Sequence, residues 1–200
     1  MKIRRSAHLL ATCLLGFSAS VFAAADGSQL PLPEGAKVAV VVFEDLQCPD
    51  CARAHPELLK VTEANKVPLV IRDFPITRHA WAFPAAVLAR YFSSKSPALG
   101  VEFRSFIFEN QRDINPGNLR QYGEKFAEAH QLQLPPDVDP DGTLKARVQA
   151  DFDLGVQIKL EYVPLIFVIG QGTGAEHFVE VTDVAQLDGM IRKYNRGEPQ

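Results

Sequence analysis

The chain has 200 residues, 21 Lys+Arg against 24 Asp+Glu, a formal charge of −3 and three cysteines. An acidic balance with no basic run argues against nucleic acid as a partner, and the length suits one domain with its own core. Beyond the first 25 residues nothing approaches the ~18 uninterrupted apolar residues of a membrane span.

Residues 1–25 read as a secretory signal. Lys2, Arg4 and Arg5 supply the positive start, and Leu9 to Val21 an apolar stretch too short and too Ser/Gly-broken to span a bilayer. Val21-Phe22-Ala23 and Ala23-Ala24-Ala25 both place small residues for cleavage, after Ala23 or after Ala25. Leu10-Ala11-Thr12-Cys13 fits a lipoprotein site poorly, because of Thr12 and the short stretch before it. The expected location is the periplasm. Losing residues 1–23 leaves 18 basic against 24 acidic side chains, a formal charge of −6. Cys48 and Cys51 are then the remaining cysteines. A single close pair does not staple a small secreted fold, so stability falls to packing and the thiols are free for chemistry.

Asp26 to Glu34 is a short polar lead. Val38 to Phe43 is a continuous apolar, mostly β-branched run, the pattern of a strand buried on both faces. Ala52 to Ala64 reads as a helix kinked at Pro56, whose ring removes a donor. Val67 to Arg72 is a second strand, which makes a right-handed βαβ unit with parallel strands. Helical spacing then covers Ala80 to Tyr91, Ala98 to Glu109, Pro116 to His130 and Gly142 to Val156, with Asn115-Pro116 as a helix start. Val163 to Ile169 returns to strand, residues 170–174 form a turn, and His177 to Thr182 alternates as a hairpin partner. Asp183 is the expected N-cap of a last helix reaching Tyr194. Neither β portion can stand alone, so the reading is one α/β domain. Residues 26–78 and 161–200 share a sheet, and residues 79–160 form a helical insertion.

The chemistry concentrates at Cys48-Pro49-Asp50-Cys51, between the first strand and its helix. Cys48 is the expected attacking sulfur, because unpaired N–H groups and the dipole at a helix start favour a thiolate. Cys51, one turn deeper, is the resolving thiol. In the oxidising direction a client thiolate would attack the Cys48–Cys51 disulfide at Cys48, a second client thiol would release the mixed disulfide, and a separate oxidant would restore the pair. Pro49 fixes the first helical turn. Asp50 places a negative charge near the sulfur and is expected to raise the Cys48 pKa, so that Asp50→His lowers it.

Order and motifs together resemble the DsbA family of exported oxidoreductases, on the thioredoxin fold. The resemblance rests on Phe43 to Cys51, on Pro56, on Asp73-Phe74-Pro75 followed by His79 and Pro84-Ala85-Ala86, and on Val163-Pro164-Leu165-Ile166-Phe167-Val168. It covers roughly residues 36–195. It implies a βαβ…ββα thioredoxin fold with an inserted helical subdomain, and a cis bond before Pro164. Val163 then offers its backbone to extended clients. It further implies a monomeric dithiol oxidase of reduced or unfolded exported proteins, with no cofactor beyond the cysteine pair and a quinone-linked membrane partner for reoxidation. A reductase or isomerase would use the same atoms. The chain departs from its relatives at Val42, where they often carry a buried acid, and at Tyr162, where they often carry Gly. Glu44 and Asp45 are the substitute acids, both nearer the exposed strand end.

Competing readings attach to several residues. Cys48, Cys51 and His55 have C-x₂-C-x₃-H spacing, but a structural zinc site wants four ligands and no second pair is near. Asp137, Asp139, Asp141 and Gly142 match the first half of an EF-hand loop, yet Val148 stands where the bidentate glutamate belongs. A solvated turn capping the next helix is the simpler reading. His79 and Trp81 are expected to pack in the core or the groove rather than react, and Phe103, Phe106 and Phe108 to pack within the insertion. A thioredoxin-fold metal carrier or chaperone module remains the alternative to an enzyme.

Overall fold

The computed structural model describes residues 25–172 and 176–198. The signal stretch through Ala24, with Cys13, and the turn positions Thr173 and Gly174 lie outside the described residues. Ten main elements follow one another: β1 (Val38–Glu44), α1 (Pro49–Asn65), β2 (Leu69–Asp73), α2 (Ala82–Lys95), α3 (Pro97–Glu109), α4 (Leu119–Ala129), α5 (Thr143–Gln157), β3 (Leu165–Gly170), β4 (Phe178–Val181) and α6 (Leu187–Asn195). Among the described residues no helix is long and apolar enough to cross a membrane.

One mixed sheet runs in the order β2-β1-β3-β4. β1 and β2 are parallel, while β3 is antiparallel to β1 and to β4. All seven residues of β1 are buried, because alternate side chains enter different cores. Ala39, Val41 and Phe43 join Leu165, Phe167, Phe92, Phe103 and Ile107 on the side of the inserted helices. Val38, Val40 and Val42 join Leu58, Val61, Ile166, Leu187 and Ile191, beneath α1 and α6. The unbroken apolar run that predicted a doubly covered strand has this cause.

The insertion is also held by charge. Arg104 of α3 donates to Glu44 at 3.0 Å and to Asp73 at 2.6 Å, at the C-terminal ends of the two parallel strands. Arg90 of α2 reaches Asp73 at 2.5 Å and also pairs with Asp151 of α5. Asp151 accepts from Arg72 at 2.8 Å and from the Asp73 N–H at 3.1 Å. A chain of alternating charges thus fastens three inserted helices to the end of the sheet where α1 begins.

Several boundaries differ from expectation. Helix α1 starts at Pro49, whose missing N–H costs nothing in a first turn. Helix α4 starts at Leu119 instead of Pro116. The Asn118 carboxamide accepts from the Asn115 N–H at 2.7 Å and the Asn115 side chain from Gly117 at 2.9 Å, which ties residues 115–118 into a turn. Asp183 caps a 3-10 turn, Val184–Gln186, that precedes α6. The polar lead is docked rather than loose: Leu30 is buried and the Asp26 N–H reaches the Ile158 carbonyl at 3.0 Å. Asp139 accepts from Leu144 and Lys145 at 2.7 and 3.0 Å, Asp137 from Asp139 and Asp141 from Thr143. Asp139 and Asp141 thus engage the backbone that starts α5, and Asp137 closes the turn before it.

Candidate active site

The β1–α1 junction places the two thiols. Cys48 is the N-cap of α1, with extended backbone and Pro49 directly after it. Cys51 lies one turn in and is 1% exposed, against 6% for Cys48. Both are free thiols in this structure. The loop before them is braced from the insertion. The Gln111 carboxamide donates to the carbonyls of Leu46 and Cys48, both at 3.0 Å. Gln47 accepts from the Trp81 N–H at 2.9 Å. The Val163–Pro164 bond is cis, and the Cys48 thiol donates to the Val163 carbonyl at 3.7 Å. Residues 115 positions apart are thus brought together at one sulfur.

The two thiols are driven apart electrically. A hydrogen bond from Cys51 to its sulfur lowers the Cys48 pKa to about 6, against the opposing effect of burial. His79 lowers it further and Asp45 raises it. Burial pushes the Cys51 pKa far up, helped by the Cys48 hydrogen bond and the charges of Cys48 and Glu44. Near neutral pH the reduced pair therefore favours a thiolate at Cys48, which borders the groove, over a retained proton at Cys51.

Glu44 and Asp45 are not at an exposed strand end: they are 2% and 1% exposed. The Asp45 N–H donates to Cys51 Sγ at 3.4 Å. Its carboxylate accepts from the N–H groups of Gln47 and Ile76 and pairs with His79 Nδ1 at 2.8 Å. Asp50 is exposed and ion-paired with Arg53, so the carboxylate acting on Cys48 is that of Asp45. An exposed pair with a compensated charge has little reach. Asp50→Asn should accordingly leave the Cys48 thiolate midpoint within ~0.3 unit of wild type, read by thiolate absorbance against pH. A larger drop would return Asp50 to the tuning role expected of it from its position.

His55 turns toward the insertion. Its Nε2 lies 3.0 Å from Ser105 Oγ, its ring centroid 4.8 Å from that of Phe108, and its Nδ1 3.5 Å from Glu44. The C-x₂-C-x₃-H spacing is thus not a ligand set, and no cluster of three metal-ligating side chains occurs among the described residues. Trp81 is 3% exposed and packs, as expected. His79 takes the groove position: with Cys48, Phe74, Phe152, Tyr162 and Val163 it lines a cavity of about 590 Å³. Phe74 and Phe152 stack at 4.7 Å along this groove. Gly155 permits that approach, since a Cβ there would meet Phe74 at 2.5 Å. Tyr162 is half-exposed and donates its hydroxyl to Glu180. Burial of the hydroxyl and then Glu180 raise its pKa to about 12. It forms a wall of the groove where a glycine would leave it open.

A four-stranded sheet, a CxxC at the first strand–helix junction and a cis-proline facing the leading sulfur define a thioredoxin fold with a helical insertion. A family model described as Thioredoxin matches residues 33–184, and the chain belongs to that family. Among solved structures it is similar to Wolbachia pipientis alpha-DsbA1, with TM-score 0.67 and 18% identity over 84% of this chain and 94% of that one. It is also similar to the thiol-disulfide exchange protein alpha-DsbA2 of the same organism (0.64, 16% identity, 81% and 84%). The catalytic domain of Proteus mirabilis ScsC is a third (0.63, 15% identity, 82% and 86%). These likenesses establish a DsbA-like fold. The chain spans a quarter of the length of a curated relative it matches, Na(+)/H(+) antiporter NhaA 3 of Salinispora tropica. That match is 24% identical over 174 residues, 83% of this chain and 25% of that protein.

Proposed function

We propose that this protein is an exported thiol–disulfide oxidoreductase working as a dithiol oxidase, with Cys48 and Cys51 as its redox couple. The observation that carries the reading is the Cys48–Cys51 pair at the start of α1 with the cis Val163–Pro164 bond against the Cys48 sulfur, and the lowered Cys48 and raised Cys51 pKa favour the oxidising direction. Stabilising the reduced pair makes the disulfide a better oxidant. Likeness in fold to a thiol-disulfide exchange protein supports the class of reaction.

A client thiolate attacks Cys48 Sγ, the Cys48–Cys51 bond breaks, and its electron pair leaves on Cys51, which takes up a proton. A second client thiolate attacks the client sulfur of the mixed disulfide and expels Cys48 as thiolate. The client loses two electrons and the site gains them. The Val163 backbone and the groove beside Cys48 hold an extended client segment, with main-chain pairing that makes little demand on sequence. Reduced or unfolded exported proteins are the clients, a membrane redox partner reoxidises the pair, and the periplasm is the compartment. The chain works as a monomer without a further cofactor.

Equilibration against glutathione buffers tests the direction. The expected couple lies on the oxidising side of the roughly −270 mV typical of thioredoxin. A potential at or below that value assigns the reductive direction and overturns the oxidase reading.

A further inference from the structure

The proton balance of exchange needs a carrier. Each attacking client thiol must shed a proton, and Cys51 must gain one when the disulfide opens. Among the described residues the acids nearest the couple are already engaged. Glu44 is bound by Arg104 at 3.0 Å. Asp45 holds two backbone N–H groups at 2.6 and 2.7 Å. What Asp45 adds is a third contact, to His79 Nδ1 at 2.8 Å. An ionised carboxylate has no proton to give, so Nδ1 must carry one, which leaves the Nε2 lone pair free in the neutral ring. His79 Nε2 makes no hydrogen bond among the described residues, and the ring borders the cavity that contains Cys48. Asp45 is fully enclosed while His79 keeps 16% of its side chain exposed, so the pair runs from a buried anchor to the edge of the groove. The order acid, oriented imidazole, sulfur nucleophile is the logic of an activated thiol.

We propose that Asp45 and His79 form the proton-handling pair of this site, with His79 as a catalytic residue and Asp45 as a positioning residue. The inference rests on the exchange chemistry proposed above. As a client thiol enters, its proton passes to His79 Nε2 and its sulfur bonds to Cys48 while the Cys48–Cys51 bond breaks. The electron pair leaves on Cys51, and the imidazolium gives its proton to that thiolate. The second client thiol passes its proton to the freed imidazole as its sulfur bonds to the first client sulfur and Cys48 departs as thiolate, and that second proton goes to solvent. Other titratable groups line the same space: Arg78 on its own loop, Cys48 and Asp50 at the start of α1, and Glu161 and Tyr162 ahead of β3.

The test is single-turnover reaction of the oxidised full chain with a cysteine peptide across pH 5–9. His79→Gln keeps a donor for Asp45 and cannot titrate. It should react about a hundredfold more slowly near neutral pH, at the low end of general-base effects, and lose one titrating limb of the profile. His79→Ala should recover part of its rate with added imidazole, which leaves wild type unchanged. A wild-type profile in a folded His79→Gln, or slowing equal at every pH with no imidazole rescue, overturns the proposal. The proposed function fails separately, if Cys48→Ser still exchanges or wild type does not. In that case the pair falls with it, whereas exchange that needs Cys48 but is unaltered in His79→Gln overturns the pair alone.

Discussion

Cys48→Ser should fold normally and show no thiol–disulfide exchange, while Cys51→Ser, offered a client that carries a disulfide, should accumulate the mixed disulfide that Cys48 forms by attacking it, visible by mass. The first variant lacks the attacked sulfur. The second lacks the thiol that would release a stalled client, so the covalent intermediate persists. The loss in exchange should be complete within detection for both. A Cys48→Ser protein with residual turnover would place the chemistry elsewhere. A third variant tests the electrostatics: in Cys51→Ala the largest influence lowering the Cys48 pKa is gone, so the alkylation midpoint should rise from about 6 toward the ordinary thiol value. The same coupling has a stability signature. The folded Cys48 pKa is depressed, so its stabilising contribution is full above the unfolded thiol value of about 8.5 and fades as pH falls through about 6. Thermal melts should therefore show the reduced protein gaining on the oxidised one between pH 5 and about 8. Cys51, whose pKa is raised, is protonated in both states across that window and leaves the sign intact.

Arg104→Met should cost about 3–5 kcal/mol of stability. The guanidinium is 3% exposed and satisfies Glu44 and Asp73 together, each 1% exposed at the side chain. Its removal leaves Glu44 without that cation, and Asp73 with Arg90 alone. For a domain of this size the melting temperature should fall by about 10 °C or more. Adding Glu44→Gln to Arg104→Met should restore part of the loss, because it removes the uncompensated charge. An Arg104→Met melt within 2 °C of wild type would mean that water reaches these carboxylates (a drop that small is under about 1 kcal/mol).

The sequence made the frame of this molecule legible wherever a local pattern carried it. The unbroken run Val38 to Phe43 announced a strand covered on both faces, and Cys48-Pro49 announced a helix start with a sulfur at its mouth. Polar residues were harder, because their surroundings are set by distant partners. Glu44 and Asp45 end a strand and read as exposed. Arg104, sixty residues on, and His79, on the loop after β2, are what bury them usefully. Asn115-Pro116 had the composition of a helix start, but Asn118 captures the Asn115 N–H and delays the helix. Asp50 was expected to act on its neighbour in sequence and instead pairs with Arg53. His79 was expected in the core or the groove, but spacing alone cannot show that it pairs with Asp45 and shares a cavity with a cysteine thirty-one positions earlier.

The groove beside Cys48 is walled by Phe152 from the fifth helix and by Tyr162, whereas the sulfurs belong to the first strand–helix junction. On the proposed function, reactivity and the choice of client thus rest largely on separate stretches of chain. A lineage can retune which polypeptides it accepts by drift at positions 152 and 162 without disturbing the couple itself. Divergence among such proteins should gather along that wall first.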